Sequence, residues 1–237
     1  MNDGGTAGAN YKNDGALGLN SLAAGVGAQA TGTSGVAIGP NAEASGSQSI
    51  ALGASAKSGA ISGVAIGNGA RADADGMVSV GGSAGSNSAS NTWGIAIGNG
   101  AGANMVAGTE STALGHNAGV RVNGNTNVAI STEAGNDVQG SNNFAAVIRS
   151  GQNIKGSGNI ALGGSAGSGT TAEPLNINNT VAIGSKAISS KNNAIAIGNG
   201  AQATGLQSIS IGTGNVVSGD NSGALGDPSY VTGSGTY

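Results

Sequence analysis

The chain has 237 residues but no cysteine, one histidine and few aromatic residues: one Phe, one Trp and three Tyr. The absence of cysteine suits an extracytoplasmic protein that avoids disulfide chemistry and excludes a cysteine nucleophile. The single histidine, His116, is insufficient for a metal cluster or a catalytic dyad, and we expect it to be a solvated turn residue. No Ser, His and Asp follow one another in the order of a catalytic triad. The sequence therefore favours a non-enzymatic protein without metal or cofactor.

Charge is also scarce, since only 8% of the residues are charged and the net charge is −3. The eight basic residues are scattered, which gives little support to nucleic-acid binding. Asp73 and Asp75 lie two residues apart, and they indicate a solubilising edge more simply than an acid/base pair. The sequence shows no signal peptide and no apolar run long enough to span a membrane.

Glycine is the dominant residue, with 48 copies, and it closes a short apolar phrase that returns along the chain. The phrase Val36–Gly39 returns as Ile50–Gly53 and Val64–Gly67, so its last glycine recurs at every fourteenth position. A fixed period of this kind predicts a solenoid, in which one short unit is stacked many times. Collagen is excluded because glycine does not occupy every third position.

The last residue of each phrase serves as the anchor of one repeat. The anchors are Gly25, Gly39, Gly53, Gly67, Gly81, Gly98, Gly115, Ser131, Arg149, Gly163, Gly184, Gly198, Gly212 and Gly226. The intervals between successive anchors are 14, 14, 14, 14, 17, 17, 16, 18, 14, 21, 14, 14 and 14. Both ends are therefore regular and the middle carries insertions. Ser131 and Arg149 replace the anchor glycine, and Thr112, Ala146 and Gly223 depart from the usual residue at the position three before the anchor.

Large and small residues alternate before each anchor. Apolar residues, usually β-branched or Leu, lie three and one positions before it with alanine between them, which is typical of a β-strand. The second half of the unit, as in Asn41–Gly46, alternates alanine with polar residues and predicts a second short strand. Two strands and two turns in so short a unit favour a flattened two-sided roll with parallel stacking of successive coils.

The Val/Ile/Leu stripe of the first strand has two possible positions. It lies either inside the roll or on the outer face of one sheet, where a patch of this length requires self-association to bury it. We favour the outer face. The residues expected to form the core of the roll or of its oligomer are Val36, Ile38, Ile50, Leu52, Val64, Ile66, Val78, Val80, Ile95, Ile97, Val181, Ile183, Ile195, Ile197, Ile209 and Ile211.

The units Gly35–Gly39 and Gln48–Gly53, with their 14-residue spacing, resemble the YadA-like head repeats of trimeric autotransporter adhesins. The resemblance covers about residues 17–226, and Gly223–Gly233 looks like the segment that leads from such a head into its neck. It implies an all-β, left-handed parallel β-roll that forms a homotrimer at the surface of a Gram-negative bacterium. It also implies a non-enzymatic adhesin that binds host cells or extracellular matrix. The C-terminal outer-membrane anchor of such proteins is expected to lie outside this fragment.

The predicted organisation is a lead-in with a partial repeat over 1–21, head repeats over 22–226 and a neck-like exit over 227–237. Insertions fall within 81–184, where we expect looser corners and protruding loops. Loops on a rigid scaffold commonly carry recognition, although tolerated drift at a coil corner is the alternative interpretation. The candidate loops are Ser83–Trp93, Asn104–Thr109, Arg121–Asn127, Asn136–Asn143 and Ser165–Asn179. Their candidate ligand-binding residues are Trp93, Asn104, Arg121, Asn125, Asp137, Glu173 and Leu175.

Trp93 is predicted to open a strand on the same side as Ile95 and Ile97 and to pack at a coil edge. A calcium-binding nonapeptide roll is excluded because its aspartate ladder is missing, and a hexapeptide helix because the period is 14. The alternative function is a structural spacer of a surface or phage fibre with no ligand of its own. Such fibres share the low charge and the high glycine content.

Overall fold

A computed structural model describes residues 13–88, 91–106, 108–226 and 228–237. All regular elements in these ranges are β-strands, and the predicted all-β roll of stacked parallel coils is confirmed. None of the described residues belongs to a helix that could cross a membrane. The chain divides into two compact units, Met1–Val120 and Arg121–Tyr237.

In the first unit a three-residue strand alternates with a two-residue strand along the chain. The three-residue strands are β1 (Leu22–Ala24), β3 (Val36–Ile38), β5 (Ile50–Leu52), β7 (Val64–Ile66), β9 (Val78–Val80), β11 (Ile95–Ile97) and β13 (Thr112–Leu114). The two-residue strands are β2 (Gln29–Ala30), β4 (Glu43–Ala44), β6 (Lys57–Ser58), β8 (Arg71–Ala72), β10 (Asn91–Thr92) and β12 (Gly108–Thr109). Each coil therefore contributes one strand to a long sheet and one to a shorter sheet.

The second unit follows the same alternation except between its first two three-residue strands, where Gln139 forms only isolated parallel bridges with Asn123 and Lys155. Its three-residue strands are β14 (Val128–Ile130), β15 (Phe144–Ala146), β17 (Ile160–Leu162), β19 (Val181–Ile183), β21 (Ile195–Ile197), β23 (Ile209–Ile211) and β25 (Gly223–Leu225). Its two-residue strands are β16 (Ile154–Lys155), β18 (Leu175–Asn176), β20 (Ile188–Ser189), β22 (Gln202–Ala203), β24 (Val216–Val217) and β26 (Tyr230–Val231).

Neighbouring coils pair in parallel with each residue beside its equivalent in the repeat. Ala37 pairs with Ala51, and Ala51 in turn with Ala65. Across the 21-residue step, Ala161 pairs with Ala182, so an insertion does not shift the register of the three-residue strands. The register follows because a slip of one residue would turn the alanine outward and both large residues inward.

Alanine methyl groups fill most of the interior of the regular coils, together with buried serines such as Ser49 and Ser58. Ala37 and Ala51 from the three-residue strands and Ala44 from the two-residue strands are all fully buried. Strand alternation then directs the flanking large residues outward, and Ile50 and Leu52 are 38% and 40% exposed. In the single chain the Val/Ile/Leu stripe therefore lies on the outer face of the sheet, and coil-on-coil stacking covers each side chain only in part.

The anchor positions require glycine for two reasons: the backbone conformation and the lack of space for a side chain. Gly53 has φ +132°, a region that side chains rarely adopt. A Cβ atom on Gly53 would lie 2.6 Å from the carbonyl oxygen of Gly67, the next anchor in the stack. Two residues after the anchor comes a left-handed position, occupied for example by Asn41 at φ +55°. Small or polar residues there close the first turn.

The expected anchor at Arg149 is wrong. Strand β15 ends at Ala146, because Phe144 pairs with both Val128 and Ile160, and Val147 takes the anchor position at φ +81°. Arg149 instead occupies the left-handed position two residues later, at φ +56°. The intervals of 18 and 14 on either side of this anchor become 16 and 16, so three consecutive intervals are equal. Phe144, 37% exposed, joins the outer stripe.

Replacing the anchor glycine Gly53 by Ala should lower the free energy of unfolding by about 2–3 kcal/mol, because strain and a backbone clash act together. The matched control is Gly200→Asn. Gly200 has φ +65° and nothing within 4 Å of the position that a Cβ would take, and asparagine tolerates this conformation, so the change should stay below about 1 kcal/mol. Urea unfolding followed by circular dichroism at one protein concentration measures both. Equal losses in the two variants would contradict the role given to the anchor column.

Candidate functional site

The inserted coils share a corner that the regular coils lack. Five such corners begin with Ala-Gly or Ser-Gly, have a polar residue two positions after the glycine and end on a buried residue. The five corners are Ala84–Ser88, Ala101–Met105, Ala118–Val122, Ala134–Val138 and Ser150–Ile154. In the fourth corner Gly135 and Asp137 have φ +61° and +59°. A Cβ on Gly135 would lie 2.8 Å from the Cβ of Ala129, so only glycine lets the corner pack against the strand.

Each of these five corners buries its last residue, so the inserted segments are not exposed throughout. Met105, Val138 and Ile154 are at most 4% exposed, whereas the regular coils bury mostly alanine and serine, with Met77 and Val217 as larger exceptions. A longer coil encloses more space, and close packing then requires larger side chains to fill it. The exception is the 21-residue step, where Thr170–Glu173 is exposed.

A ladder of buried asparagines supports the three 16-residue coils of the second unit. Asn127, Asn143 and Asn159 each precede a three-residue strand and are at most 5% exposed. The Nδ2 of Asn143 donates to Oδ1 of Asn127 and to the carbonyl oxygen of Gly156, both at 3.0 Å. Asn159 repeats the side-chain bond to Asn143 at 2.9 Å, and the Thr180 hydroxyl closes the ladder on Asn159 at 2.8 Å. The ladder therefore joins the base of the strand to the second turn in each coil.

The structure brings together two predicted ligand-binding residues, Arg121 and Asp137, at equivalent corners of neighbouring coils. Nε of Arg121 donates to Oδ1 of Asp137 at 2.5 Å, and Nη2 donates to Oδ2 at 2.6 Å. The hydrogen bond to Asp137, aided by its charge, raises the pKa of Arg121, although burial opposes the shift. Both side chains stay accessible, so the pair offers fixed charges to a partner while contributing less than about 1 kcal/mol to stability.

A second ion pair is not predicted by the sequence analysis. Nε of Arg149 donates to Oε2 of Glu133 at 2.8 Å, and Nε2 of Gln152 donates to the carbonyl oxygen of Glu133 at 2.6 Å. Arg149 and Glu133 both occupy the left-handed position of the first turn, at φ +56°. Their 16-residue separation in the sequence is the feature that would indicate the pair. The pair is missed because Arg149 is assigned to the anchor position in the sequence analysis.

The other predicted ligand-binding residues of the second unit lie apart from this pair in the repeat. Asn125 is exposed in the second turn, where its N–H donates to Oγ of Ser141 at 2.9 Å. Glu173 is exposed, and its N–H donates to Oγ1 of Thr170 at 2.9 Å. Leu175 is half-buried in β18, which pairs with β16. These residues therefore lie in two different turns and one strand of the roll.

Two predicted residues lie in the first unit. Asn104 is exposed at a corner, and its Oδ1 accepts a hydrogen bond from Nδ2 of Asn87 at 3.0 Å. Trp93 does not open a strand, since β11 begins at Ile95 and Trp93 lies in the preceding turn at φ +59°. Its side chain packs over Gly76 of the neighbouring coil and is 64% exposed.

The residues that the structure describes contain no group of three or more His, Cys, Asp or Glu positioned to hold a metal ion. His116 is exposed in a turn, directly after Gly115. The accessible features are instead ion pairs, amide side chains, an indole ring and the outer stripe. Such features suit recognition of a partner by a rigid surface.

Comparison with known families gives a match to one model, described as YadA head domain repeat (2 copies). The matched segments are residues 16–42, 30–56, 44–70, 89–118, 178–201 and 203–229, which together cover more than half of the chain. Comparison with curated proteins finds no match. The family matches leave residues 119–177 unmatched, and these contain the 16-residue coils and most of the asparagine ladder.

Replacing Asn143 by Ala should lower the free energy of unfolding by about 2–4 kcal/mol, because buried groups on both neighbouring coils lose hydrogen-bond partners. The control is Asn142→Gly at the adjacent exposed position, where φ +59° suits glycine and the loss should stay below about 1 kcal/mol. Chemical unfolding and amide exchange at Gly140 and Gly156 provide the measurements. A loss in Asn143→Ala no larger than in the control would show that the ladder does not support the inserted coils.

Proposed function

Because the chain belongs to the YadA head domain family, we propose that it is the non-enzymatic head of a trimeric surface adhesin. The family is one of bacterial surface adhesins of the trimeric autotransporter type. The finer proposal is attachment to host cells or extracellular matrix at the outer membrane surface, through the trimeric roll and its inserted coils. The pair formed by Arg121 and Asp137 carries this proposal, because a rigid corner holds two accessible opposite charges.

The homotrimer is part of the proposal, and the outer stripe provides its driving force. In each unit the stripe consists of two columns of mainly Val, Ile and Leu on one sheet face, with coils about 4.8 Å apart. Ile38 and Leu52 are 36% and 40% exposed in the single chain. An apolar surface of this extent favours burial against further copies. That three copies assemble is inferred from the family, whose heads are trimers.

A spacer is the second candidate function, and the regular coils favour it. The 14-residue coils around Ile50 and Ile195 present alanine inside and the apolar stripe outside, so few polar groups remain for recognition. If the whole chain were built of such coils, it would hold other parts of the protein away from the cell surface without binding anything. The two candidates differ in what they require of the inserted coils.

The trimer is tested by the mass of the protein in solution. We expect sedimentation equilibrium to give three times the chain mass of 22.0 kDa. Ile38→Lys combined with Leu52→Lys should favour the monomer, because each chain would place two charges in an apolar interface. Gln29→Lys combined with Gln202→Lys adds the same charge at exposed positions of the two-residue strands and should leave the trimer intact. A monomeric parent protein would contradict the proposal.

Attachment is tested on immobilised matrix proteins and on host cells. Arg121→Ala combined with Asp137→Ala should weaken binding at least about tenfold if the inserted corners carry recognition. The matched control, Glu43→Ala with Lys57→Ala, removes an accessible ion pair of 3.0 Å from a regular coil and should change little. If the parent protein binds neither matrix proteins nor host cells, the spacer function remains. Equal weakening by both double variants would place recognition on the roll as a whole.

A further inference from the structure

The turn before β11 contains an unusual residue, Trp93, which differs in type from the residues at the equivalent position of the other coils. Each coil passes through a left-handed position in its second turn, and Trp93 occupies it at φ +59°. Its equivalents in the first unit are Asn20, Ser34, Gln48, Ser62, Gly76 and Glu110. Polar and small residues are usual in this conformation, and a bulky aromatic residue is an outlier. Strained outliers of this kind cluster at functional sites.

The neighbouring coil provides a seat for the indole ring. Gly76 holds the equivalent position one coil earlier, and Cδ2 of Trp93 lies 2.9 Å from where a Cβ on Gly76 would be. Two further atoms of the six-membered ring, Cε3 and Cζ3, lie closer still to that position. Glycine at position 76 therefore leaves the space that the ring occupies. The backbone bond from the Trp93 N–H to the Asp75 carbonyl oxygen, 2.8 Å, fixes the turn beneath it. With 64% of the residue exposed, much of the ring is open to a ligand.

Carboxylate residues lie on both coils that neighbour the Trp93 turn. Asp75 is exposed and directly precedes Gly76, and its Oδ1 accepts a hydrogen bond from the Ile61 N–H at 3.0 Å. Glu110 is exposed and holds the next left-handed position of the column. Its N–H donates to the Thr92 carbonyl oxygen at 2.9 Å, which places its backbone beside the Trp93 turn.

The basic residues of the same unit do not neutralise these carboxylates. Within the described part of this unit the basic residues are Lys57 and Arg71. Lys57 pairs with Glu43 at 3.0 Å, and Arg71 pairs with Asp73 at 2.6 Å. The surroundings of Trp93 therefore combine an open π face with two negative charges on adjacent coils. A π face and a negative field both attract cations.

We propose that Trp93, Asp75 and Glu110 form a binding site for an arginine side chain of a partner protein. A guanidinium group stacks flat on an aromatic ring and donates hydrogen bonds from its edge to carboxylates. A quaternary ammonium group would use the ring but has no N–H to offer the carboxylates. A neutral sugar would stack on the ring but would not gain from the charge. The inference deepens the proposed attachment function and rests on it, since it gives one surface of the head a ligand chemistry.

Trp93 is the only tryptophan of the chain, so its fluorescence reports on this site directly. Acrylamide should quench the emission of the assembled protein, because the ring is accessible. N-acetyl-arginine amide should then change the emission saturably, with a midpoint in the millimolar range expected of one exposed cation–π contact. The probe N-acetyl-citrulline amide has almost the same shape without the charge and should produce a response at least about threefold weaker.

Variants separate the two parts of the site. Glu110→Gln or Asp75→Asn should raise the arginine midpoint by about threefold, because each removes one negative charge. Asp14→Asn removes a carboxylate from an exposed position several coils away and should not change it. Trp93→Leu keeps an apolar side chain without a π face, and saturation-transfer NMR should show that it no longer contacts the arginine probe. Circular dichroism confirms that each variant is folded.

Four results would overturn the proposal. They are resistance to acrylamide, an equal response to the citrulline probe, a stronger response to tetramethylammonium, or a stronger response to a methyl glycoside. All are read on the isolated protein without cells or matrix. Attachment to cells in the absence of an arginine response would overturn only this site. A clear arginine response without attachment would support the site and count against the proposed attachment function.

Discussion

Hydrogen bonding between neighbouring coils sets the dimensions that the rest of the chain has to meet. Parallel backbones about 4.8 Å apart place every residue on top of its equivalent, so each column accepts only certain side chains. Inside a 14-residue coil the space between the two sheets takes methyl groups, and Ala37 and Ala51 fill it. At the anchors even a methyl group is too large, as the distance from a Cβ on Gly53 to the next carbonyl oxygen shows. The apolar stripe lies outside because the interior has no room for it.

The inserted coils meet the same constraint in a different way. Their Ala-Gly corners turn the backbone once more, and residues such as Val138 and Ile154 fill the wider interior. Where polar side chains enter that interior, they bond along the stack, as Asn143 does with Asn127 and Asn159. The accessible ion pair of Arg121 and Asp137 therefore belongs to coils that the asparagine ladder also joins. This suits recognition, because a surface that is already ordered loses little conformational entropy when it binds.

Period and alternation are enough to predict the solenoid, the two strands per coil and the outward stripe, because stacking repeats the same environment at each equivalent residue. The prediction fails at Arg149, where no glycine marks the anchor and a polar residue is taken in its place. The 16-residue spacing of Asn127, Asn143 and Asn159 carries the correct register, but a buried asparagine is an unexpected choice on hydrophobicity alone. The position of Trp93 is also missed, since its left-handed backbone depends on the turn and not on side-chain alternation. The pairing of Arg121 with Asp137 can be predicted only when the coil between them is known to have 16 residues. That length follows once the equivalent corners are aligned.

The alanine interior has a consequence for the response of the protein to temperature. Methyl groups such as those of Ala44 and Ala65 bury little apolar surface per residue, so the interior of the regular coils contributes little to the heat-capacity change of unfolding. A small heat-capacity change gives a flat stability curve, with a weak loss of stability on both cooling and heating. Most of the curvature would come from whatever covers the outer stripe. If further copies of the chain cover the stripe, as proposed, contacts between chains govern the temperature dependence more than the core of each chain does.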